Sequence, residues 1–112
     1  MDLRRFLPRD LFAGQVVFIT GGGSGINLGI AASFAALGAD LAICGRSAER
    51  LEGAKRELEG LGARVLTEVA DVRDYDAMSR AMEVTRENLG PVRHLVCGAA
   101  GNFPCPAEAL SA

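Results

Sequence analysis

The sequence predicts an α/β protein with a doubly wound parallel sheet and helices on both faces of that sheet. Four short apolar runs alternate with three segments of helical periodicity, and a cluster of glycines follows the first run directly. Such alternation with short connections is typical of a parallel sheet with right-handed crossovers. Continuous apolar runs suit strands that are covered on both faces.

The first strand and helix are predicted near the start of the chain. Residues 1–14 indicate an irregular arm, and residues 15–20 form an apolar run rich in branched side chains that indicates the first strand. Apolar residues then recur every three to four positions over 26–37, which predicts a helix ended by Gly38. The residues expected to face the core from this helix are Ile26, Ile30, Phe34 and Leu37.

A second strand and helix follow in the same way. Residues 40–44 are apolar and short, which indicates a strand. Ser47 is a suitable N-cap for a helix that runs to about residue 61 and ends at Gly62. The predicted inward residues of this helix are Leu51, Ala54, Leu58 and Leu61.

The third helix lies between two further strands. Residues 64–69 indicate the third strand, and Asp74 is a suitable N-cap for a helix through about residue 89. Gly90 stops that helix, and residues 92–97 indicate the fourth strand. The predicted inward residues of the helix are Met78, Ala81, Met82 and Thr85.

Composition argues against several functional classes. A length of 112 residues is typical of one domain, roughly 100–150 residues. A net charge of −2, 5% aromatic residues and the absence of Trp argue against a nucleic-acid partner. Three cysteines without a CxxC pair and a single histidine lack the ligands of a zinc site. With no secretion signal and no apolar stretch long enough to span a bilayer, we expect a cytoplasmic protein without a membrane partner.

The glycine-rich turn after the first strand is the most informative segment. It reads TGGGSGINLG over residues 20–29. Glycine adopts positive φ easily and places no Cβ against a ligand. The helix that follows directs its free N–H groups and positive dipole end at this turn, so the turn suits an anion. In a βαβ unit, the natural anion is the pyrophosphate of a dinucleotide.

The spacing of the glycines resembles that of one enzyme family. Neither GxGxxG nor the P-loop pattern fits, and Lys55 is the only lysine in the chain. Thr-Gly-x-x-x-Gly-Ile at the end of an apolar strand instead resembles the signature of short-chain dehydrogenases/reductases. This resemblance implies a Rossmann fold with strand order 3-2-1-4 that binds NAD or NADP. The residues that it implies for the phosphate turn are Gly21, Gly23, Ser24, Gly25 and Ile26.

Asn27 departs from the family's pattern, which has its third glycine at this position. That glycine normally permits close approach of the helix to the strand or the cofactor. The asparagine either crowds the phosphates or donates a hydrogen bond to them through its amide. The sequence leaves both alternatives open.

The end of the second strand indicates NADP as the cofactor. NAD sites place a carboxylate about 20 residues after the glycines, where it holds the ribose 2′-hydroxyl. This chain has Gly45-Arg46-Ser47 there, without an acid. A guanidinium beside a helix N-terminus suits a 2′-phosphate. Arg46 and Ser47 are therefore the predicted ligands, with Arg50 one helical turn further on.

The segment after the fourth strand resembles a narrower group. The sequence AAGNF at 99–103 and the tail at 106–111 are similar to 2,4-dienoyl-CoA reductases of the peroxisomal type and their bacterial relatives. The resemblance implies NADPH-dependent reduction of an unsaturated fatty acyl-CoA by a homotetramer, peroxisomal in a eukaryote. The residues it implies are Asp71 and Val72 at the adenine, Ala99 and Gly101 at the nicotinamide, and Arg73, Asn102 and Phe103 at the acyl-CoA substrate.

The family's proton-transfer pair, Tyr-x-x-x-Lys, is missing from these residues. Tyr75 and Lys55 are the only residues of their kinds, and they have the wrong order and spacing. We therefore expect 15–112 to be the N-terminal half of a dinucleotide-binding domain that continues beyond this chain, without catalytic residues of its own. Two alternatives are the same half of another short-chain reductase, acting on 3-oxoacyl thioesters or sugars, and a non-catalytic nucleotide-binding module.

Overall fold

A computed structural model of the chain describes residues 11–21 and 25–97, with the side chains of all of these except Gly25 and Ile26. Its strands form one parallel sheet in the order β3-β2-β1-β4, so the predicted fold class and strand order are confirmed. The strands are β1 (Val16–Thr20), β2 (Asp40–Gly45), β3 (Val65–Val69) and β4 (Val92–Cys97). The helices are α1 (Gly25–Ala36), α2 (Ala48–Glu59) and α3 (Tyr75–Leu89).

Strand β1 is the centre of the sheet. It pairs with β2 on one side and with β4 on the other, and every one of its residues is buried. A strand with two neighbours and a helical layer on each face has no solvated side, which explains its continuous apolar sequence. Because all pairs are parallel, the carboxyl ends of the four strands lie along one edge.

Helices α1 and α2 cover one face of the sheet, and the buried residues of α1 agree with the prediction only in part; the side chain of Ile26 is not among those described. Ala31 and Ala35 are buried in the core cluster of this face, whereas Ile30 is only half-buried and lies outside that cluster. Alanine fits where a helix lies against a sheet, and the most buried helical positions are thus one residue beyond the predicted Ile30 and Phe34. Phe34 packs against the cluster and Leu37 is buried, as expected.

Helix α2 begins as predicted and ends earlier. The Ser47 side chain accepts a hydrogen bond from the Arg50 backbone N–H at 3.3 Å, which is the expected N-cap. The three predicted core residues Leu51, Ala54 and Leu58 are buried. Leu61, the fourth, is 44% exposed, so that prediction is wrong. The chain leaves the helix at Gly60 and turns through Gly62 at φ +95°, which takes Leu61 out of the helical repeat.

Helix α3 covers the opposite face. Its predicted N-cap is confirmed, because the Asp74 carboxylate accepts the Ala77 backbone N–H at 3.1 Å. The four residues predicted to face inward do so: Ala81 and Thr85 are buried, and Met78 and Met82 pack against the core of this face. Helices on both faces are thus confirmed. Within the described part of the chain, no helix has the length and apolar character needed to cross a membrane.

The amino ends of the strands are joined by an aromatic cluster. The His94 ring packs edge-on against Phe12 and stacks on Phe34, with centroid distances of 5.4 and 6.2 Å. Its Nε2 lies 2.6 Å from Gln15 Oε1, and the Phe12 backbone N–H donates to Leu37 O. These contacts attach residues 11–14, the described part of the predicted arm, to the sheet.

Two polar side chains lie on neighbouring strands under α3. Cys44 is a buried free thiol, with its Sγ 3.6 Å from Ala70 O and 3.7 Å from Met78 Sδ. Burial, together with the negative charge of Glu68, raises the pKa of this thiol to about 11. Glu68 is the pairing partner of Cys44 on β3, and burial raises the pKa of its carboxyl group. The fold therefore disfavours the charged form of both groups.

Leu58→Ala should destabilise the fold much more than Leu61→Ala. The first change removes a fully buried side chain and leaves a cavity, which costs about 2–5 kcal/mol of unfolding free energy. The second alters an exposed position and should cost less than about 1 kcal/mol. Urea unfolding followed by circular dichroism measures both. Equal losses would contradict the assignment of the helix end.

Glu68→Gln should stabilise the fold at neutral pH. Because the folded state raises the pKa of Glu68, this side chain contributes most to the stability of the fold when it is protonated. That contribution is present below the ordinary pKa of 4.5 and is lost as pH rises through the folded-state pKa. Glutamine stays neutral, so the gain should be present at pH 7 and disappear near pH 4. Unfolding midpoints at the two pH values measure it, with the exposed Glu83→Gln as the matched control. A gain that does not depend on pH would be inconsistent with burial of the charge.

Candidate functional site

The loops that follow the strands share one edge of the sheet. The pairing register places the last residues of β1, β2, β3 and β4 side by side there. Strand order reverses between β1 and β4, since β1 is joined to β2 along the chain and β4 lies on its other side. In open parallel sheets, ligands bind outside the carboxyl ends at such a reversal. The predicted site residues that are described all lie at or near this edge.

The turn after β1 has the geometry that its glycine predicts. Gly21 has φ +69°, a conformation that favours glycine, and its N–H donates to Cys44 O at 2.7 Å. Helix α1 begins at Gly25, so its N-terminus follows the turn directly. Gly23 and Ser24 lie outside the described residues, and the side chain of Ile26 is not described.

The end of β2 carries two exposed guanidinium groups beside a helix N-terminus. Arg46 follows the strand, Ser47 caps α2, and Arg50 lies in the first turn of that helix. Among the described residues, the Arg46 side chain makes no hydrogen bond or ion pair. Glu49 is the acid in the first turn, and none stands between β2 and the cap. This arrangement attracts anions through two side chains and the helix dipole.

The end of β3 lies beside Arg46. The Ala70 N–H donates to Gly45 O at 2.9 Å, which extends the pairing of the strands by one residue and places Asp71 next to the β2 loop. The Asp71 carboxylate accepts the backbone N–H of Arg73 at 2.9 Å. It also accepts the Arg73 guanidinium, with Nη2 at 2.8 Å and Nε at 3.1 Å. Val72 is half-buried in the same turn.

Electrostatics at the end of β3 follow from these contacts. Hydrogen bonds from the Arg73 side chain and backbone, with a smaller contribution from the charge of Arg46, lower the pKa of Asp71 to about 2. The carboxylate is therefore ionised at any physiological pH. No group of three potential metal ligands occurs among the described residues. The charged groups at this edge suit a phosphorylated organic ligand.

Of the 15 predicted site residues, the structure places eight at one edge, describes only the backbone of Ile26, and leaves six outside its description. Those at the edge are Gly21, Gly25, Arg46, Ser47, Arg50, Asp71, Val72 and Arg73. Those outside the described residues are Gly23, Ser24, Ala99, Gly101, Asn102 and Phe103. The residue pattern alone did not indicate the Asp71–Arg73 pair. The only sequence signal for this pair is that Asp71 lies two residues before Arg73, whose backbone N–H it binds. This spacing is typical of turns.

The chain matches known proteins over most of its length. Residues 15–112 match the family model described as short chain dehydrogenase. The peroxisomal 2,4-dienoyl-CoA reductase of Arabidopsis thaliana is 42% identical over 102 residues, which cover 91% of this chain and 34% of that protein. A 3-dehydrosphinganine reductase of the same plant is 46% identical over 81 residues, covering 71% and 23%.

Solved structures agree with the family match. The L-sorbose reductase of Gluconobacter frateurii, complexed with NADPH and L-sorbose, aligns with a TM-score of 0.78 at 35% identity and covers 85% of this chain and 36% of that one. The chain therefore spans about a third of the length of the first curated relative that it matches. With the family model matching residues 15–112 and a parallel sheet of the same order, the chain belongs to the short-chain dehydrogenase family.

Proposed function

We propose that this chain supplies the NADP-binding part of a reductase that acts on 2,4-dienoyl-CoA. The observation that carries the cofactor assignment is the exposed Arg46 at the end of β2, next to the N-terminus of α2 that Ser47 caps. A carboxylate at this position would hold a ribose 2′-hydroxyl, whereas a guanidinium and a helix N-terminus suit a 2′-phosphate. The substrate assignment is supported by the name of the Arabidopsis thaliana relative.

Each group of residues has a distinct role in this proposal. When bound, the nicotinamide of the cofactor supplies the hydride. The phosphate turn leaves room for the pyrophosphate, and the α1 N-terminus provides N–H donors to it. Arg46, Ser47 and Arg50 bind the 2′-phosphate. The remaining cofactor residues are Gly21, Gly23, Ser24, Gly25 and Ile26 at the pyrophosphate, Asp71 and Val72 at the adenine, and Ala99 and Gly101 at the nicotinamide.

The substrate in this proposal is an unsaturated fatty acyl-CoA. Phe103 packs against the acyl thioester region, Asn102 orients it, and Arg73 meets the CoA part. The proposal includes a homo-oligomeric enzyme, located in the peroxisome of a eukaryote or in the cytoplasm of a bacterium. Residues 15–112 are then the N-terminal half of its dinucleotide-binding domain, after an arm at 1–14. The names of the peroxisomal relatives support the acyl-CoA and the compartment.

A second candidate is a short-chain reductase that acts on a carbonyl group. The match to a 3-dehydrosphinganine reductase and the likeness to an L-sorbose reductase favour it. Both candidates use the same cofactor residues in this proposal. In either case, we propose that the 112 residues alone bind the cofactor without turnover, since they contain no Tyr-x-x-x-Lys pair.

Arg46→Asp should lower the affinity for NADPH much more than that for NADH. The change removes a charged hydrogen-bond donor and adds a charge that repels the 2′-phosphate, so we expect a loss of roughly ten- to a hundredfold for NADPH. Calorimetric titration of the chain with each cofactor measures this. Arg56→Asp, at an exposed position in the last turn of α2, is the control and should change neither affinity strongly. Equal losses for NADPH and NADH would refute the assignment of the 2′-phosphate site.

The full-length gene product should oxidise NADPH in the presence of 2,4-dienoyl-CoA. Its rate with a 3-oxoacyl-CoA should be at most about a tenth of that, because one substrate class is preferred by differential transition-state binding. The 112-residue chain should bind NADPH and give no turnover with either substrate. Absorbance at the reduced-nicotinamide band measures all four rates. Turnover of the 3-oxoacyl-CoA alone would favour the second candidate.

A further inference from the structure

We propose that Arg73 determines the selectivity of this site for a 2′-phosphate by binding Asp71 and so leaving Arg46 available to the ligand. The inference rests on the proposed function of the edge as an NADP site. It differs from that function in its mechanism, because Arg73 acts on the 2′-phosphate indirectly, through the carboxylate that it engages. Arg73 is thus a positioning residue for the cofactor side of the site.

The contacts of Asp71 show how fully Arg73 engages it. Asp71 Oδ1 accepts the Arg73 backbone N–H and its Nε–H, at 2.9 and 3.1 Å. Asp71 Oδ2 accepts the Nη2–H at 2.8 Å and lies 3.2 Å from Nε. Both carboxylate oxygens are therefore bound by one arginine in a forked arrangement. Bidentate pairs of this kind are among the stronger side-chain interactions.

Arg46 is the other described residue whose positive charge acts on this carboxylate. The bond from Ala70 N to Gly45 O holds the two loops side by side, and Asp71 and Arg46 are the next residues of each loop. The charge of Arg46 contributes to the low pKa of Asp71. Even so, Arg46 forms no ion pair with any described residue, and its side chain is exposed.

Chain connectivity explains why Asp71 selects Arg73 over Arg46. Arg73 is two residues away, so the pair closes a very short loop, and the backbone N–H of Arg73 adds a further bond to the same carboxylate. A pair with Arg46 would join two separate loops and would use side-chain contacts alone. The pair of Asp71 with Arg73 therefore forms more hydrogen bonds and restricts the conformation of fewer residues than a pair with Arg46 would.

Loss of the Arg73 guanidinium should change the charge that a 2′-phosphate meets. The released carboxylate would attract Arg46, whose charge already acts on it, and would itself repel a phosphate bound there. Both effects oppose binding of the 2′-phosphate. An adenosine ligand without this group has no 2′-phosphate for them to act on, and any change at the adenine is common to both ligands. Selectivity between the two ligands is thus the quantity that Arg73 controls.

The test compares two nucleotides that differ in the 2′-phosphate. Adenosine 2′,5′-bisphosphate and adenosine 5′-monophosphate are titrated calorimetrically into the 112-residue chain, and the ratio of their affinities is recorded. For Arg73→Gln, we expect this ratio to fall roughly three- to tenfold, as for the loss of one partly screened charge interaction. In the double variant Asp71→Asn/Arg73→Gln, the ratio should return to within about twofold of the unaltered chain. Arg80→Gln, an exposed charge-matched change on α3, should leave the ratio unaltered.

Each outcome separates the inference from the function on which it rests. If the unaltered chain does not prefer the bisphosphate, the proposed NADP site is wrong. If it does and Arg73→Gln keeps the same ratio, the inference is overturned. It is also overturned if removing the Asp71 charge fails to restore the ratio, because Arg73 would then contact the phosphate directly. Circular dichroism checks that each variant folds. If Arg73→Gln unfolds, Arg73→Lys takes its place in the test. Lysine keeps the positive charge but cannot form the two parallel hydrogen bonds, so we expect the affinity ratio to fall by less than the roughly three- to tenfold expected for glutamine.

Discussion

The fold and its site depend on the two-sided pairing of β1. This strand is hydrogen-bonded to β2 and β4 and is covered by α1 and α2 on one face and by α3 on the other. Parallel pairing requires each connection to cross back over the sheet, here through a helix, so every strand ends at the same edge. The glycine turn, the exposed arginines and the Asp71 carboxylate are close because the sheet has this arrangement.

The sequence predicts the elements well and their packing less well. Strand and helix order, the caps Ser47 and Asp74, and the buried face of α3 follow from apolar periodicity and from side chains that bind nearby N–H groups. The buried face of α1 follows only in part, since Ala31 and Ala35 are its most buried residues and the apolar periodicity did not select them. Leu61 fits the apolar repeat of α2, but the helix ends before it.

The sequence likewise predicts some features of the candidate site and misses others. The glycine pattern predicts a turn with positive φ, and Gly21 has one. The pattern also places Arg46 after β2, where the structure has it exposed. The two-residue spacing of Asp71 and Arg73 is typical of a turn, but it does not tell how close Arg46 of the neighbouring loop lies to the same carboxylate. The choice of Arg73 over Arg46 therefore required the three-dimensional structure.

The separation of the two strands that pair with β1 has a consequence for biosynthesis. Thr20 of β1 bonds to Val96 of β4 across 76 residues of chain, whereas β2 follows β1 after one helix. At about 5–20 residues per second, a ribosome needs about 4–15 s to complete β4 after β1. Until then the edge of β1 that faces β4 has no partner, and unpaired strand edges are sites at which chains associate.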